Sequence, residues 1–309
     1  VKVLTLFDLP ADAEKTLTQH PELTVIRQAD YRSEMGPTID AILGWDDRAA
    51  AILAAPNHVR FIQAVSAGVD YLPLATLAQQ GIILANTSGI HAAPIAASVL
   101  GATLAFARGL FPIATSWDGQ ARRAAMFELT GERAAVFGTG HIGQAIARQL
   151  GQQGMTVIGV NRRGRETPGF AEVTTAADLT PIHNARVIVN VMPLTPATQH
   201  FFDAAFWADL TAAPVFINVG RGPSVDTDAL LAALRTGQLT GAALDVFEQE
   251  PLPAGSPLWH TPNLLLTPHV SGTVTHLRQA VAEIFLPNVL SLDATGAIVK
   301  NQVDLATGY

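Results

Sequence analysis

The sequence predicts an α/β protein built from two doubly wound, mainly parallel sheets. Three observations predict it. Short apolar runs bounded by turn residues alternate with longer amphipathic stretches, the pattern of successive βαβ units. A glycine signature, Gly138, Gly140 and Gly143, follows one of those runs near the middle of the chain. The segment "AAPIAASVLGATLAFA", Ala92 to Ala107, separates two series of runs. It is too short for a membrane span and rich in small residues, so it reads as a buried helix from near Ala93 to near Arg108.

In the first series the strands are "VKVLTLF", "LTVIRQ", "AILGW", "RFIQAV" and "IILANT", with "DAEKTLTQH" and "RAAAILAAP" as short helices. The N-terminal run lacks a small-residue cleavage site and reads as a first strand rather than a leader. The second series opens at "RAAVFGTGHIG" and continues through "TVIGV", "VIVNV", "VFINV", "GAALDV" and "NLLLTP". A helix returns from about Phe285, followed by the tail "GAIVKNQVDLATGY". No internal repeat or low-complexity linker interrupts the chain.

With 309 residues, 49% of them hydrophobic and only 15% charged, the chain can bury two cores and does not read as disordered. A net charge of −7 argues against a general nucleic-acid binder, which needs a basic surface. The absence of cysteine excludes disulfides, thiolate metal sites and thiol nucleophiles, and fits a reducing compartment. Histidines and carboxylates are scattered rather than set at metal-ligand spacing. The expectation is a soluble, cytoplasmic protein with a small-molecule ligand and no nucleic-acid or membrane partner.

The stretch "AAVFGTGHIGQAIARQL" sets strand, glycine loop and helix in succession, with "MTVIGV" as the next strand. Gly138 permits the tight turn and Gly140 lets backbone approach a pyrophosphate. Gly143 allows the helix to pack closely on the strand. Thr139, His141 and Ile142 complete that dinucleotide loop. An acidic residue at the end of the next strand would bond the ribose hydroxyls and repel a 2′-phosphate. Asn161 stands there instead, 18 positions past Gly143, followed by Arg162 and Arg163. Two guanidinium groups suit a phosphate, so NADP(H) is the expected nucleotide, with NAD(H) second.

Three further strand ends carry candidate chemistry: Arg221 after "VFINV", Asp245 and Glu250 after "GAAL", and His269 after "NLLLTP". In an open α/β sheet, ligands bind beyond the carboxyl ends of the strands, the edge on which the glycine loop must lie. Carbonyl reduction needs an acid to give a proton, a carboxylate to hold it in that form, and a cation for the oxyanion. His269, Glu250 and Arg221 supply those three parts.

With these blocks in order, the chain resembles the D-isomer-specific 2-hydroxyacid dehydrogenases over nearly its whole length. The resemblance rests on "FIQAVSAGVDYLPLATLAQQGIILANT", the glycine loop, "VMPLTPATQHFF", "NVGRGPSVDTDALLAALRTGQLTGAALDVFEQEPLP", "LTPHVSG" and the tail "NQVDLATGY". It implies two Rossmann-like or flavodoxin-like domains with an interdomain active-site cleft, in a homodimer. The substrate domain would be discontinuous, residues 1–96 plus 287–309, around a nucleotide domain of residues 97–286. It also implies that Arg221 binds a 2-oxo acid, that His269 is the acid in reduction, and that Glu250 keeps His269 protonated. Backbone N–H groups of Ala67, Gly68 and Val69 would hold the substrate carboxylate, with Gly68 turning the chain into an anion nest. Met192, Pro193 and Thr195 would line the adenosine side, with Val219 and Asp245 beside the nicotinamide.

Two departures from the family stand out. Asn161 replaces the usual acidic residue, and Ala97 stands where a glutamate is common, expected to affect the packing of the connecting helix. The expected activity is NADPH-dependent reduction of a 2-oxo acid to the D-2-hydroxy acid. Trp45, Tyr71, Leu72 and residues near Trp259 are candidate side-chain selectors. Glyoxylate/hydroxypyruvate reductase is the nearest alternative. A nucleotide-sensing, corepressor-like binding protein is the alternative of a different class, disfavoured by the presence of Arg221, Glu250 and His269.

Overall fold

Two self-contained units divide the chain: Val1–His91 with the C-terminal segment from Val274, and Ala92–Thr273. The computed structural model describes residues 1–113 and 117–307, without the side chain of Ala121. Gly308 and Tyr309, the end of the family-like tail, lie outside the described residues.

The first unit holds five parallel strands: β1 (Lys2–Thr5), β2 (Thr24–Arg27), β3 (Ala41–Leu43), β4 (Phe61–Gln63) and β5 (Ile83–Ala85), in the order β2-β1-β3-β4-β5. Helices α1 (Ala11–Thr18), α2 (Asp47–Leu53) and α3 (Leu74–Gln80) connect them. Asp46 caps α2 by accepting from the backbone N–H groups of Arg48 and Ala49, and Gly81 ends α3 at φ 66°. Successive strand residues enter opposite faces, Leu4 and Ile42 on one and Val3, Ala41 and Leu43 on the other. The C-terminal helix Leu277–Thr295 packs on the second of those faces through Val281, Phe285, Val289 and Leu292. That helix begins eight residues before the expected Phe285, because its apolar stripe starts at Leu277 and its polar first turn hides it.

The second unit opens with α4 (Ala92–Ala107) and α5 (Gly119–Ala125), then β6 (Arg133–Phe137), α6 (His141–Gln152), β7 (Thr156–Val160), β8 (Glu172–Thr174) and β9 (Val187–Asn190). Helix α7 (Ala204–Ala208), β10 (Val215–Asn218), α8 (Thr227–Thr236), β11 (Gly241–Leu244) and β12 (Leu264–Leu266) complete it. The seven strands run parallel in the order β12-β11-β10-β9-β6-β7-β8. The order reverses between β6 and β9, so the loop after β6 stands at the point where strand connections diverge, the ligand edge of such sheets. Val136, Val189 and Ile217 enter the core with α4 and α6, while Phe137, Ile188 and Phe216 enter the one with Phe202, Phe206 and Trp207.

The unit boundaries differ from those expected. Cuts at 96/97 and 286/287 would pass through α4 and the C-terminal helix, whereas each helix stays whole in one unit. A hydrogen-bonded helix is a rigid rod, so the divisions fall in the loops before them. Ala97 is exposed on α4. No helix among the described residues is long and apolar enough to cross a membrane.

Candidate active site

The glycine loop follows β6 directly. Gly138 has φ 102°, a conformation that L side chains rarely adopt. A Cβ on Gly143 would sit 1.9 Å from the Gly138 carbonyl oxygen, so α6 approaches the strand as only glycine allows. Gly140 caps α6 without any side-chain hydrogen bond, and a Cβ there would meet nothing within 4 Å. No side chain at the Gly140 cap would obstruct a ligand at this positive helix end. This cradle fits the diphosphate of a dinucleotide.

At the end of β7, Asn161 shapes the adjoining loop. Its Nδ2 donates to Thr139 Oγ1 (3.0 Å) and to the Arg165 carbonyl (2.9 Å). Its Oδ1 accepts from the N–H groups of Arg163 (3.1 Å) and Arg165 (3.2 Å). Asn161 thus folds "NRRGR" against the glycine loop rather than reaching outward. Arg162 and Arg163 are exposed there with Arg165, a third arginine in the same loop.

The remaining cofactor candidates also follow strand ends. Met192 N–H donates to Asn190 Oδ1 (3.1 Å), and the N–H of Thr195 bonds Thr198 Oγ1 (2.8 Å), whose hydroxyl donates in turn to the Pro193 carbonyl (2.8 Å). Val219 N–H donates to the Asn190 carbonyl at 3.1 Å.

Arg221 lies three residues past β10, in extended conformation ahead of a single 3-10 turn. Its Nη1 donates to the Gly220 carbonyl at 2.9 Å, and its own carbonyl accepts from Asn218 Nδ2 and Ser224 Oγ. The next residue, Gly222, abuts the loop after β11: a Cβ would lie 1.8 Å from the Phe247 carbonyl oxygen. The turn that carries Arg221 is thereby seated on the loop that carries Glu250.

His269 Nδ1 and Glu250 Oε2 are 2.7 Å apart, and Glu250 Oε1 accepts from the Phe247 N–H at 2.9 Å. With Nδ1 on the carboxylate, Nε2 is the ring nitrogen without a partner among the described residues, on a side chain 54% exposed. His269 itself sits at φ 54°, a left-handed conformation that costs a non-glycine residue about 1 kcal/mol.

Asp245 holds it there. This carboxylate is only 3% exposed. It accepts from Thr267 Oγ1 (2.6 Å), the Val270 N–H (2.9 Å), the Ser271 N–H (2.9 Å) and Ser271 Oγ. The His269 N–H donates to the Asp245 carbonyl at 2.8 Å. A buried carboxylate is tolerated only when its lone pairs are used, and here they tie down residues 267–271. Asp245, expected beside the nicotinamide, thus fixes the segment that carries His269.

In the first unit, residues 66–69 follow β4. Gly68 is not among the glycines of positive φ. Tyr71 is half exposed, with its hydroxyl 2.9 Å from Ser66 Oγ, and burial of the phenol raises its pKa against that hydrogen bond. Trp45 packs on the first unit's core, Leu72 is buried, and Trp259 Nε1 donates to the Pro253 carbonyl at 2.9 Å.

Sequence spacing did not reveal a second histidine–glutamate pair. His200 Nε2 lies 2.6 Å from Glu248 Oε1, across 48 residues. Only a contact between two loops brings them together.

Comparison with known proteins bears on this geometry. Residues 100–271 match the family model described as "D-isomer specific 2-hydroxyacid dehydrogenase, NAD binding domain". Glyoxylate/hydroxypyruvate reductase B of Citrobacter koseri is 30% identical over 306 residues, covering 94% of this chain and 91% of its own. A D-isomer specific 2-hydroxyacid dehydrogenase family protein of Aeromonas salmonicida is 35% identical, with a TM-score of 0.81 over 98% of this chain and 99% of that one. The NADPH-dependent glyoxylate/hydroxypyruvate reductase of Sinorhizobium meliloti, solved with NADP and sulfate, is 28% identical, with a TM-score of 0.79 over 100% of this chain and 99% of that one. With a parallel sheet of matching fold, a glycine cradle at its switch point and a family model spanning most of the second unit, the chain belongs to the D-isomer specific 2-hydroxyacid dehydrogenases, oxidoreductases that use a nicotinamide cofactor.

Proposed function

We propose that this protein reduces a short 2-oxo acid to the D-2-hydroxy acid, with NADPH as the preferred nucleotide. The observation that carries the reading is the fixed imidazole. Glu250 takes Nδ1 of His269 and leaves Nε2 open, in the unit that also holds the glycine cradle and Arg221. When bound, the nicotinamide nucleotide supplies the hydride to C2 of the substrate. His269 carries a proton at Nε2 and gives it to the carbonyl oxygen; in oxidation it takes the proton back. Glu250 accepts the Nδ1–H bond and favours the imidazolium that must form in oxidation. Arg221 offers a cation to the carboxylate and to the oxygen on which negative charge develops. Ala67, Gly68 and Val69 are assigned to the substrate carboxylate on the family resemblance.

The preference for NADPH rests on the arginine loop. Asn161 removes the acidic repulsion, and its side chain is spent on holding the backbone of Arg163 and Arg165 in place. Exposed guanidinium groups beside the cradle suit a 2′-phosphate. The names of the Citrobacter and Sinorhizobium relatives favour glyoxylate and hydroxypyruvate as substrates.

Steady-state oxidation of NADPH and of NADH, across 2-oxo acids from glyoxylate and hydroxypyruvate to phenylpyruvate, tests both parts. The expected result is turnover with a small acid and a clear preference for NADPH. In Arg162→Ala/Arg163→Ala, NADPH affinity falls by about 100–200-fold, two charge-assisted contacts of about 1.5 kcal/mol each, while NADH is little affected. Equal losses for the two nucleotides would sink the phosphate assignment. No turnover with any acid would shift weight to a binding protein.

A further inference from the structure

Every carbonyl of residues 66–69 in the first unit is bonded inward. The Ser66 carbonyl accepts from the Thr87 N–H (3.0 Å), and the Val69 carbonyl from the Leu72 N–H (3.0 Å). Asn86 Nδ2 donates to the Ala67 carbonyl at 2.8 Å, and Ser66 Oγ donates to the Gly68 carbonyl at 2.8 Å. By contrast, the N–H groups of Ala67, Gly68 and Val69 find no acceptor among the described residues. A peptide plane turns as a unit, so a carbonyl pinned inward aims the N–H of the following residue the opposite way. The open donors thus arise from carbonyl bracing.

The two braces differ in build. Asn86 is 7% exposed, and its other side-chain atom, Oδ1, accepts from the Ser88 N–H at 2.9 Å. Its main chain is locked as well. The Asn86 N–H donates to the Asn301 carbonyl (3.1 Å), and its carbonyl accepts from Gln63 Nε2 (3.1 Å) and Asn301 Nδ2 (3.2 Å). Gln63 is held in turn by the buried Asn288 (3.2 Å). A network with all its members satisfied is rigid, and it fixes the Asn86 amide against the loop. The second brace is at the surface: Ser66 Oγ is steadied by the Tyr71 hydroxyl.

We propose that Asn86 and Ser66 are positioning residues for substrate, which hold the Ala67 and Gly68 carbonyls inward so that the loop's N–H groups stay directed at a carboxylate. Buried Asn86 is the major brace and Ser66, supported by Tyr71, the minor one. The proposal rests on the reading of this protein as a 2-oxo acid reductase.

The test compares Asn86→Ala, Ser66→Ala and Tyr71→Phe with the unaltered protein. It reads KM and kcat for glyoxylate, inhibition by oxalate as a carboxylate mimic, and the Kd of NADPH. In Asn86→Ala the glyoxylate KM and the oxalate inhibition constant rise together by about fivefold or more, the loss of one hydrogen bond's worth of ordering, and in Ser66→Ala they rise together by about two- to fivefold. Tyr71→Phe shows a smaller rise in the same two constants. In all three, kcat and NADPH affinity stay close to those of the unaltered protein. An unchanged KM and inhibition constant in Asn86→Ala and Ser66→Ala would overturn the proposal, as would equal losses in kcat, KM and NADPH binding. Should Asn86→Ala fail to fold, Ser66→Ala and Tyr71→Phe decide it alone. If the unaltered protein neither turns over a 2-oxo acid nor is inhibited by oxalate, the reductase reading itself fails, and with it this proposal.

Discussion

The loop after β11 carries two glutamates, Glu248 and Glu250, and each is paired with a histidine from another loop, at 2.6 Å and 2.7 Å. Both histidines sit in the left-handed region, His200 at φ 48° and His269 at φ 54°. Neither distance nor backbone strain separates the two pairs. Their connections do. Glu248 bonds Nε2 of His200 and spends its other oxygen on the N–H and hydroxyl of Thr227, the first residue of α8. That pair ties together the start of a helix and two loops. Glu250 bonds Nδ1 of His269 and leaves the distal nitrogen, Nε2, for a ligand. Strain at a histidine and a short bond to a carboxylate therefore do not identify an acid; which ring nitrogen remains available does.

Exchange of each histidine for glutamine is the strongest way to break this comparison. In His269→Gln, kcat falls by about 10²–10⁴-fold, the usual contribution of a positioned acid, while NADPH still binds. In His200→Gln, kcat stays within about twofold, as for surface changes away from chemistry, and stability falls by about 0.5–1 kcal/mol. Stopped-flow hydride transfer and fluorescence titration of NADPH separate these outcomes. A comparable loss of turnover in both variants would show that the Glu248 pair also serves the reaction.

Gly222 tests what the two pairs share. A Cβ at this position would lie 1.8 Å from the Phe247 carbonyl oxygen and 2.6 Å from the Glu248 N–H nitrogen, backbone atoms that have no side-chain freedom to move aside. Gly222→Ala pushes the Arg221 turn off the loop that carries both glutamates. The expected cost is about 1–3 kcal/mol in urea unfolding, as for overpacked cores, with a fall in kcat/KM for the 2-oxo acid. A variant as stable and active as the unaltered protein would show that the turn and the loop are not mechanically joined.

What was legible in the sequence was local. The glycine loop, the strand that precedes it and the helix that follows are consecutive, from Arg133 to Gln152, and Gly138 and Gly143 do what the motif implies. Arg221 and His269 could be placed at strand ends because apolar runs mark those ends. What stayed hidden depends on contacts distant in sequence. Asp245 takes its side-chain partners from 22 to 26 residues away, and the His200–Glu248 pair joins loops 48 residues apart. Strand β8 was missed because it is a three-residue strand at the sheet edge with one buried side chain, so it has no apolar run. Gly68 pointed to the loop as an anion nest, whereas the side chains that brace its carbonyls, Asn86 and Ser66, are ones no spacing rule connects to it. The same gap explains Asn161, whose amide organises the arginine loop through contacts no motif records.

The smallest expected effect refines the comparison most finely. Thr227→Val keeps the side chain's shape and removes only the hydroxyl that donates to Glu248, while the backbone N–H bond at 3.2 Å remains. If the His200–Glu248 pair is a tie and nothing more, the loss is one partly exposed hydrogen bond, about 0.5–1 kcal/mol in unfolding free energy. Turnover and its pH profile then match those of the unaltered protein, because no group near the reacting atoms has changed charge or place. The same magnitude of change at Glu250, made by Glu250→Gln, weakens the partner of Nδ1 and alters the pH profile of kcat/KM even where stability barely moves. A shifted pH profile in Thr227→Val would mean that Glu248 communicates with the acid along Phe247–Glu250, where the Phe247 N–H bonds Glu250 Oε1 at 2.9 Å. An unshifted one leaves proton transfer to a single pair, with its twin two residues away holding the loop in shape.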